Sequence, residues 1–196
     1  MQTSQNVKIS VAIPTFNSSN YLTMCINSIL NNKVVSEIVI HDDCSEKDEY
    51  KKIVEISNKF KNEIKIKVFR SEKNYGAFIN KFKNINECSN EIVYQLDSDN
   101  ASYLNLDHII NRIYLKNKTN DLYIPSKIYQ FHKHPKGSRF LSKFNKKYKV
   151  IYTIDDFTFT KKVIQQEINN EAKYTIDKNI NWVLNSGNFI CYKDQY

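Results

Sequence analysis

Near the start of the chain, a β-branched, apolar-rich run over residues 7–13 stops at Pro14, which predicts a buried first strand ended by the proline. Asn17-Ser18-Ser19-Asn20 supplies cap-type residues, and Tyr21, Leu22, Cys25, Ile26, Ile29 and Leu30 then recur at helical spacing. Residues 37–41 form a second apolar run. Ser45 followed by Asp48 predicts a capping pair opening a helix, partly marked by Ile53, Val54, Ile56 and Phe60. Residues 64–69 alternate with Lys65 and Lys67, as in a strand with one wet face near a sheet edge. Phe78, Ile79, Phe82 and Ile85 mark a helix within 74–88, residues 91–96 a fourth strand, and Leu104, Leu106, Ile109, Ile110 and Ile113 another helix. The first half thus reads β-α-β-α-β-α-β. That alternation predicts the α/β class: a mostly parallel sheet with right-handed crossovers and helices on its faces.

The second half is less regular, with mixed strands expected. Residues 121–125 read as a strand, Asp155-Asp156 as the cap of a helix reaching 168, and 189–192 as a last strand. Between them, 132–149 carries seven basic residues and no acid, broken by Pro135 and Gly137. No repeat or linker divides the chain, so one domain over 1–196 is expected.

Composition narrows the class. The 196 residues are 41% hydrophobic and 13% aromatic, enough for a packed core and against disorder. No apolar run spans a bilayer and the first residues lack a signal-peptide pattern, so a cytoplasmic protein is expected. Cys25, Cys44, Cys88 and Cys191 are scattered without a CxxC pair, which reads as reduced thiols. The net charge of +8 fits either an anionic partner (nucleic acid or membrane) or lysine spread over solvated faces. The second reading fits better: no aromatic-plus-basic nucleic-acid motif is present, and no nucleic-acid partner is expected. The basic segment 132–149 is either a solvated loop or a peripheral membrane contact.

The chemistry lies at the strand ends. Asp42-Asp43 closes the second strand and Leu96-Asp97-Ser98-Asp99 the fourth. On neighbouring parallel strands both pairs emerge at one carboxyl edge, where open α/β sheets bind ligands. Four acids there repel one another unless a cation or ligand donors satisfy them. Glycine occurs only at 76, 137 and 187, which excludes both the G-x-G-x-x-G fingerprint and the Walker A loop. A diphosphate would instead be neutralised by Mn²⁺ or Mg²⁺ held on Asp97 and Asp99. The alternative is an Asx-rich turn, continued by Asn100, that merely caps the next helix.

Together, Val11-Ala12-Ile13-Pro14-Thr15-Phe16-Asn17, Asp42-Asp43-Cys44-Ser45, Asn74-Tyr75-Gly76 and Leu96-Asp97-Ser98-Asp99, in that order, resemble the family 2 glycosyltransferases. The resemblance covers roughly 7–110 and implies a GT-A-like, Rossmann-type fold. It also implies metal-dependent, inverting transfer of a sugar from a nucleotide diphosphate donor, commonly UDP-linked, to a hydroxyl acceptor. Residues 1–110 would bind the donor and 111–196 the acceptor. The resemblance implies that Pro14 and Thr15 line the base or ribose pocket and that Asp43 accepts from the base N–H, while Asp42 supports its loop. Asn74 and Gly76 would border the donor, and Asp97 and Ser98 the ribose or the metal, with Asp99 on the metal itself. Asn80 either orients that site or is an exposed helix residue; Asn17 is a turn or cap residue. Cys44 stands where many relatives have glycine, so a slightly different loop is expected. More loosely, Trp182, Gly187 and Asn188 resemble the acceptor-side strand. The family's general base follows that strand, yet only Asp194 lies downstream, too close for the role. The base is therefore expected beyond Tyr196, in a longer transferase. A sugar-nucleotide-binding module without turnover stays open, as does a basic nucleic-acid-binding domain. His132 and His134 lack partners at metal-ligand spacing.

Overall fold

The structure, a computed structural model, describes residues 7–102, 105–115, 123, 127–130, 149–153 and 188–195. Strands β1 (Ile9–Thr15), β2 (Val35–Asp42), β3 (Lys65–Arg70) and β4 (Ile92–Gln95) alternate with helices α1 (Ser19–Asn27), α2 (Lys47–Phe60) and α3 (Ala77–Asn86); α4 (Leu106–Leu115) follows β4. A separate antiparallel pair, β5 (Lys127–Gln130) and β6 (Lys149–Thr153), precedes β7 (Phe189–Tyr192). The main sheet runs β3-β2-β1-β4-β7; all its pairs are parallel except β4 with β7.

Strand alternation sorts the core into two layers. Ile9, Val11, Ile13, Ile38, Ile40, Ile92 and Tyr94 pack on one face against Leu22, Cys25 and Ile26 of α1, Ile53 and Phe60 of α2, and Ile110 and Ile113 of α4. Ala12, Val39, Val93, Phe189 and Cys191 pack on the other against Ile85 of α3. Burial on both faces explains why β1 reads as an apolar-rich run without strict alternation. The edge position of β3 explains its alternating lysines.

Two local expectations are corrected. Pro14 does not end β1, which continues to Thr15. The Ala12 carbonyl accepts from Leu96 of the β4 segment, so by period two residue 14 also faces that side, where β4 has already ended; no ladder bond is lost. Ser45 does not cap α2: Glu46 is the N-cap, with no side-chain cap bond. The Ser45 hydroxyl donates to Asp42 and accepts the Asn17 backbone N–H instead. Of the strand expected at 121–125, Tyr123 is described and bridges to Ile190; residues 121, 122, 124 and 125 lie outside the described residues. The helix expected at 155–168, Trp182, Gly187, His132, His134 and nearly all of 132–149 lie outside the described residues. No described helix is long and apolar enough to cross a membrane.

Candidate donor-binding site

The chain order turns at β1: β2 and β3 lie to one side of it and β4 to the other. The carboxyl ends of β1 and β4 therefore diverge into loops and leave a crevice at the switch point. A cavity of ≈ 480 Å³ opens there, and its lining includes Pro14, Thr15, Asp43, Asn74, Gly76, Asn80, Lys81, Asp97, Ser98 and Asp99. Three of the four acids expected at this edge share it.

Asp42 turns away from the cavity. It is fully buried, pairs with Arg70 (Nε to Oδ2, 3.3 Å) and accepts the Ser45 backbone N–H at 3.1 Å. It holds the loop, as the resemblance implies. Asp43 grips the next loop: Oδ1 accepts from Tyr75 N at 2.9 Å and Oδ2 from Gly76 N at 2.8 Å. Each oxygen keeps acceptor capacity. Asn74 Oδ1 also accepts from Gly76 N, at 2.9 Å. Gly76 has φ +88, which glycine adopts without strain, and a Cβ there would meet nothing within 4 Å. Its glycine is required by backbone conformation, and the space beside it is open.

Asn80 is buried rather than exposed on the helix. Its Nδ2 donates to the carbonyls of His41 (3.1 Å) and Thr15 (3.4 Å), tying α3 to the ends of β1 and β2, while its Oδ1 has no partner among the described residues. The hydroxyls of Thr15, Ser18 and Ser98 form a chain, with 2.8 Å and 2.7 Å links, that crosses the crevice. Asn17, at φ 48, is a turn residue whose Oδ1 accepts from Glu46 N at 3.1 Å. Cys44 has φ 63. It adopts the left-handed conformation glycine would take, so the loop keeps its glycine-like path at some cost in strain.

Sequence reading misses Lys81. It is 1% exposed on α3, with its ammonium 3.0 Å from Asp97 Oδ1. Its position on the helix's inward stripe, three residues after Phe78 and four before Ile85, is the signal that could find it. Burial lowers the Lys81 pKa and raises that of Asp97, in each case against their mutual attraction. Gln95 Nε2 donates to the same Oδ1 at 2.9 Å. Asn188, expected on the acceptor side, accepts the Asp97 backbone N–H at 2.8 Å and Asn100 Nδ2 at 3.3 Å, so it fixes this loop. Among the described residues, Asp97 Oδ2 has no hydrogen bond, and Asp99, exposed at the cavity, makes no hydrogen bond or ion pair.

This donor set fits a hard dication. Two open carboxylates supply oxygen ligands, and no group of three or more His, Cys, Asp or Glu side chains is placed to hold a metal among the described residues. Phosphate oxygens and water would have to complete the shell, the usual arrangement for Mg²⁺. Asp194 is placed elsewhere: it follows Tyr192, which pairs with Ile92 at the amino end of β4, the edge opposite the cavity.

A mostly parallel sheet carrying carboxylates beside a cavity at its switch point defines an α/β protein with a candidate ligand crevice at its carboxyl edge. The family described as "Glycosyl transferase family 2" matches residues 10–169, and the chain belongs to it. It is 36% identical over 104 residues to the poly(ribitol-phosphate) beta-N-acetylglucosaminyltransferase TarS of Staphylococcus aureus, covering 50% of this chain and 17% of TarS. It is 34% identical over 96 residues to the uncharacterized glycosyltransferase MG060 of Mycoplasma genitalium, covering 47% of this chain and 32% of that protein. Among solved structures, S. aureus TarS 1–349 in complex with UDP superposes with a TM-score of 0.50 at 28% identity, over 60% of this chain and 35% of that one. The Pyrobaculum calidifontis mannosyltransferase PcManGT, with GDP-Man and Mn²⁺, has a TM-score of 0.53 at 13% identity over 64% and 37%, and shows the GT-A fold alone. The matched part is thus well under half the length of these relatives.

Proposed function

We propose that this chain binds a UDP-linked sugar in the switch-point cavity, with Mn²⁺ or Mg²⁺ on Asp97 and Asp99, and transfers the sugar to a hydroxyl acceptor with inversion. The observation that carries this is the convergence of Asp43, Asp97 and Asp99 on one cavity, two of them with unused oxygens. The volume lies in the range of small-ligand sites. Asp43 accepts a base N–H while holding the Asn74–Gly76 loop; Thr15 and Ser98 offer hydroxyls to the ribose. Asn80 ties the ends of β1 and β2 to α3, and Asn188 holds the Asp97 loop. A bound dication would stabilise negative charge on the departing diphosphate. UDP-N-acetylglucosamine is the first donor to test, because TarS bears that activity in its name.

Calorimetric titration with UDP, with and without Mn²⁺, tests the reading. Micromolar binding that requires Mn²⁺ is expected in the wild type, whereas in Asp99→Ala the binding is weak and Mn²⁺ no longer strengthens it. Metal-independent binding, unchanged in Asp99→Ala, would remove Asp99 from its role; no UDP binding at all would refute the proposal.

A further inference from the structure

Asp97 is restrained on every side but one. Its backbone N–H is held by Asn188 and its Oδ1 by Lys81 and Gln95, leaving Oδ2 for the cavity. It has no freedom to swing both oxygens toward a metal without breaking two bonds. Lys81 is itself almost fully buried, and it lines the same cavity as Asp99. Burying an ammonium is expensive, and an apolar side chain of similar length is often at least as stabilising in such a place. The charge at this position therefore calls for an explanation beyond packing. With Lys81 present, the two metal-facing carboxylates leave one net negative charge for a dication, and one of them offers a single oxygen.

We propose that Lys81 is a built-in counter-charge that makes divalent-metal binding conditional on the nucleotide diphosphate. It holds Asp97 in place when the cavity lacks nucleotide and keeps the carboxylates from capturing a metal alone. The diphosphate brings the additional negative oxygens that make the dication favourable. Lys81 acts through Asp97, so it is a positioning residue. The inference rests on the donor-and-metal reading above, and its test separates the two.

The experiment measures Mn²⁺ binding to the full 196-residue chain by electron paramagnetic resonance of the free ion, with and without UDP. Wild type is expected to bind Mn²⁺ at least about tenfold more weakly without UDP. Lys81→Met and Lys81→Gln should raise nucleotide-free Mn²⁺ affinity about tenfold or more, because a nearby repelling charge is gone; Lys81→Arg should behave as wild type. Unchanged nucleotide-free affinity in folded neutral variants overturns the inference while wild-type coupling leaves the function standing. A loss of metal-free UDP affinity in those variants, with nucleotide-free Mn²⁺ affinity unchanged, also overturns it, since Lys81 would then contact phosphate directly. UDP binding without any Mn²⁺ effect in wild type overturns both the metal role and the inference. Equal Mn²⁺ affinity with and without UDP in wild type also refutes the idea, whether or not the neutral variants fold.

Discussion

The two ends of the same sheet differ in whether all of their acids are spent on the protein itself. At the amino end, Glu37 on β2 is 2% exposed and consumed by its neighbours: Ser10 Oγ donates at 2.6 Å, Ser89 donates its backbone N–H, and Lys67 lies 3.1 Å away. Asn90 bonds the Ser10 and Ser36 hydroxyls at 2.9 and 2.8 Å and closes the network. At the carboxyl end, Asp42 is likewise consumed by Arg70 and Ser45, but Asp97 Oδ2 and Asp99 are left open. Both ends use carboxylates next to cations and hydroxyls. Only one keeps acceptor capacity for something outside the chain. A closed network serves stability, and an open one facing a cavity serves binding.

Substitutions should separate the ends cleanly. Glu37→Ala is expected to lower unfolding stability by about 3 kcal/mol, leaving UDP affinity within about twofold, because the network it breaks lies away from the cavity. Denaturant unfolding and calorimetry check the two halves of that statement. Its pH signature has a definite sign. Burial pushes the Glu37 carboxyl up, but hydrogen bonds from Ser10, Ser89 and Lys67 outweigh it and hold the pKa at about 2, below the ordinary 4.5. A folded-state pKa below the unfolded one stabilises above about pH 4.5, and that stability is lost as pH falls toward 2. Acid titration of Glu37→Ala should lack this part of the wild-type loss; an unchanged profile would assign the acid sensitivity elsewhere.

Asp99→Ala should do the reverse. UDP affinity in Mn²⁺ is expected to fall about 100-fold, roughly 2.7 kcal/mol, with little change in melting temperature, since no bond within the described protein is removed. Equal stability losses at Glu37 and Asp99 would erase the distinction between the ends. Asn188→Ala is a smaller perturbation of the open end. Releasing the Asp97 N–H should cost about 1–2 kcal/mol of stability and weaken Mn²⁺-supported UDP binding about tenfold. A stability loss with binding intact would make Asn188 structural only. The smallest effect is a gain: Cys44→Gly should stabilise by about 1 kcal/mol by relieving its left-handed strain, with donor binding unchanged. A loss of stability would show that the Cys44 Sγ contact with the Glu72 carbonyl, at 3.4 Å, outweighs the strain.

Much of the open end is legible in the order of the residues alone. Apolar-rich runs at β1, β2 and β4 announce buried strands, and carboxylates following two of them locate the edge. What stays hidden depends on partners far apart in sequence. Nothing near Asp42 foretells that Arg70, at the end of another strand, withdraws it from the cavity. Lys81 reads as one more solvated lysine because periodicity locates apolar side chains and is blind to a charge inserted among them. Pro14 reads as a stop, yet a strand's fate depends on whether its neighbour still needs that N–H. Asn188 reads as part of its own strand, whereas its amide serves the loop that follows the neighbouring one.

A crystal structure with UDP and Mn²⁺ tests the central claim most directly. The account predicts a diphosphate in the β1–β4 crevice, its metal bound by Asp99 and by Asp97 Oδ2, with Lys81 still on Oδ1. Nucleotide bound away from that crevice, or a metal making no contact with either carboxylate, would contradict it.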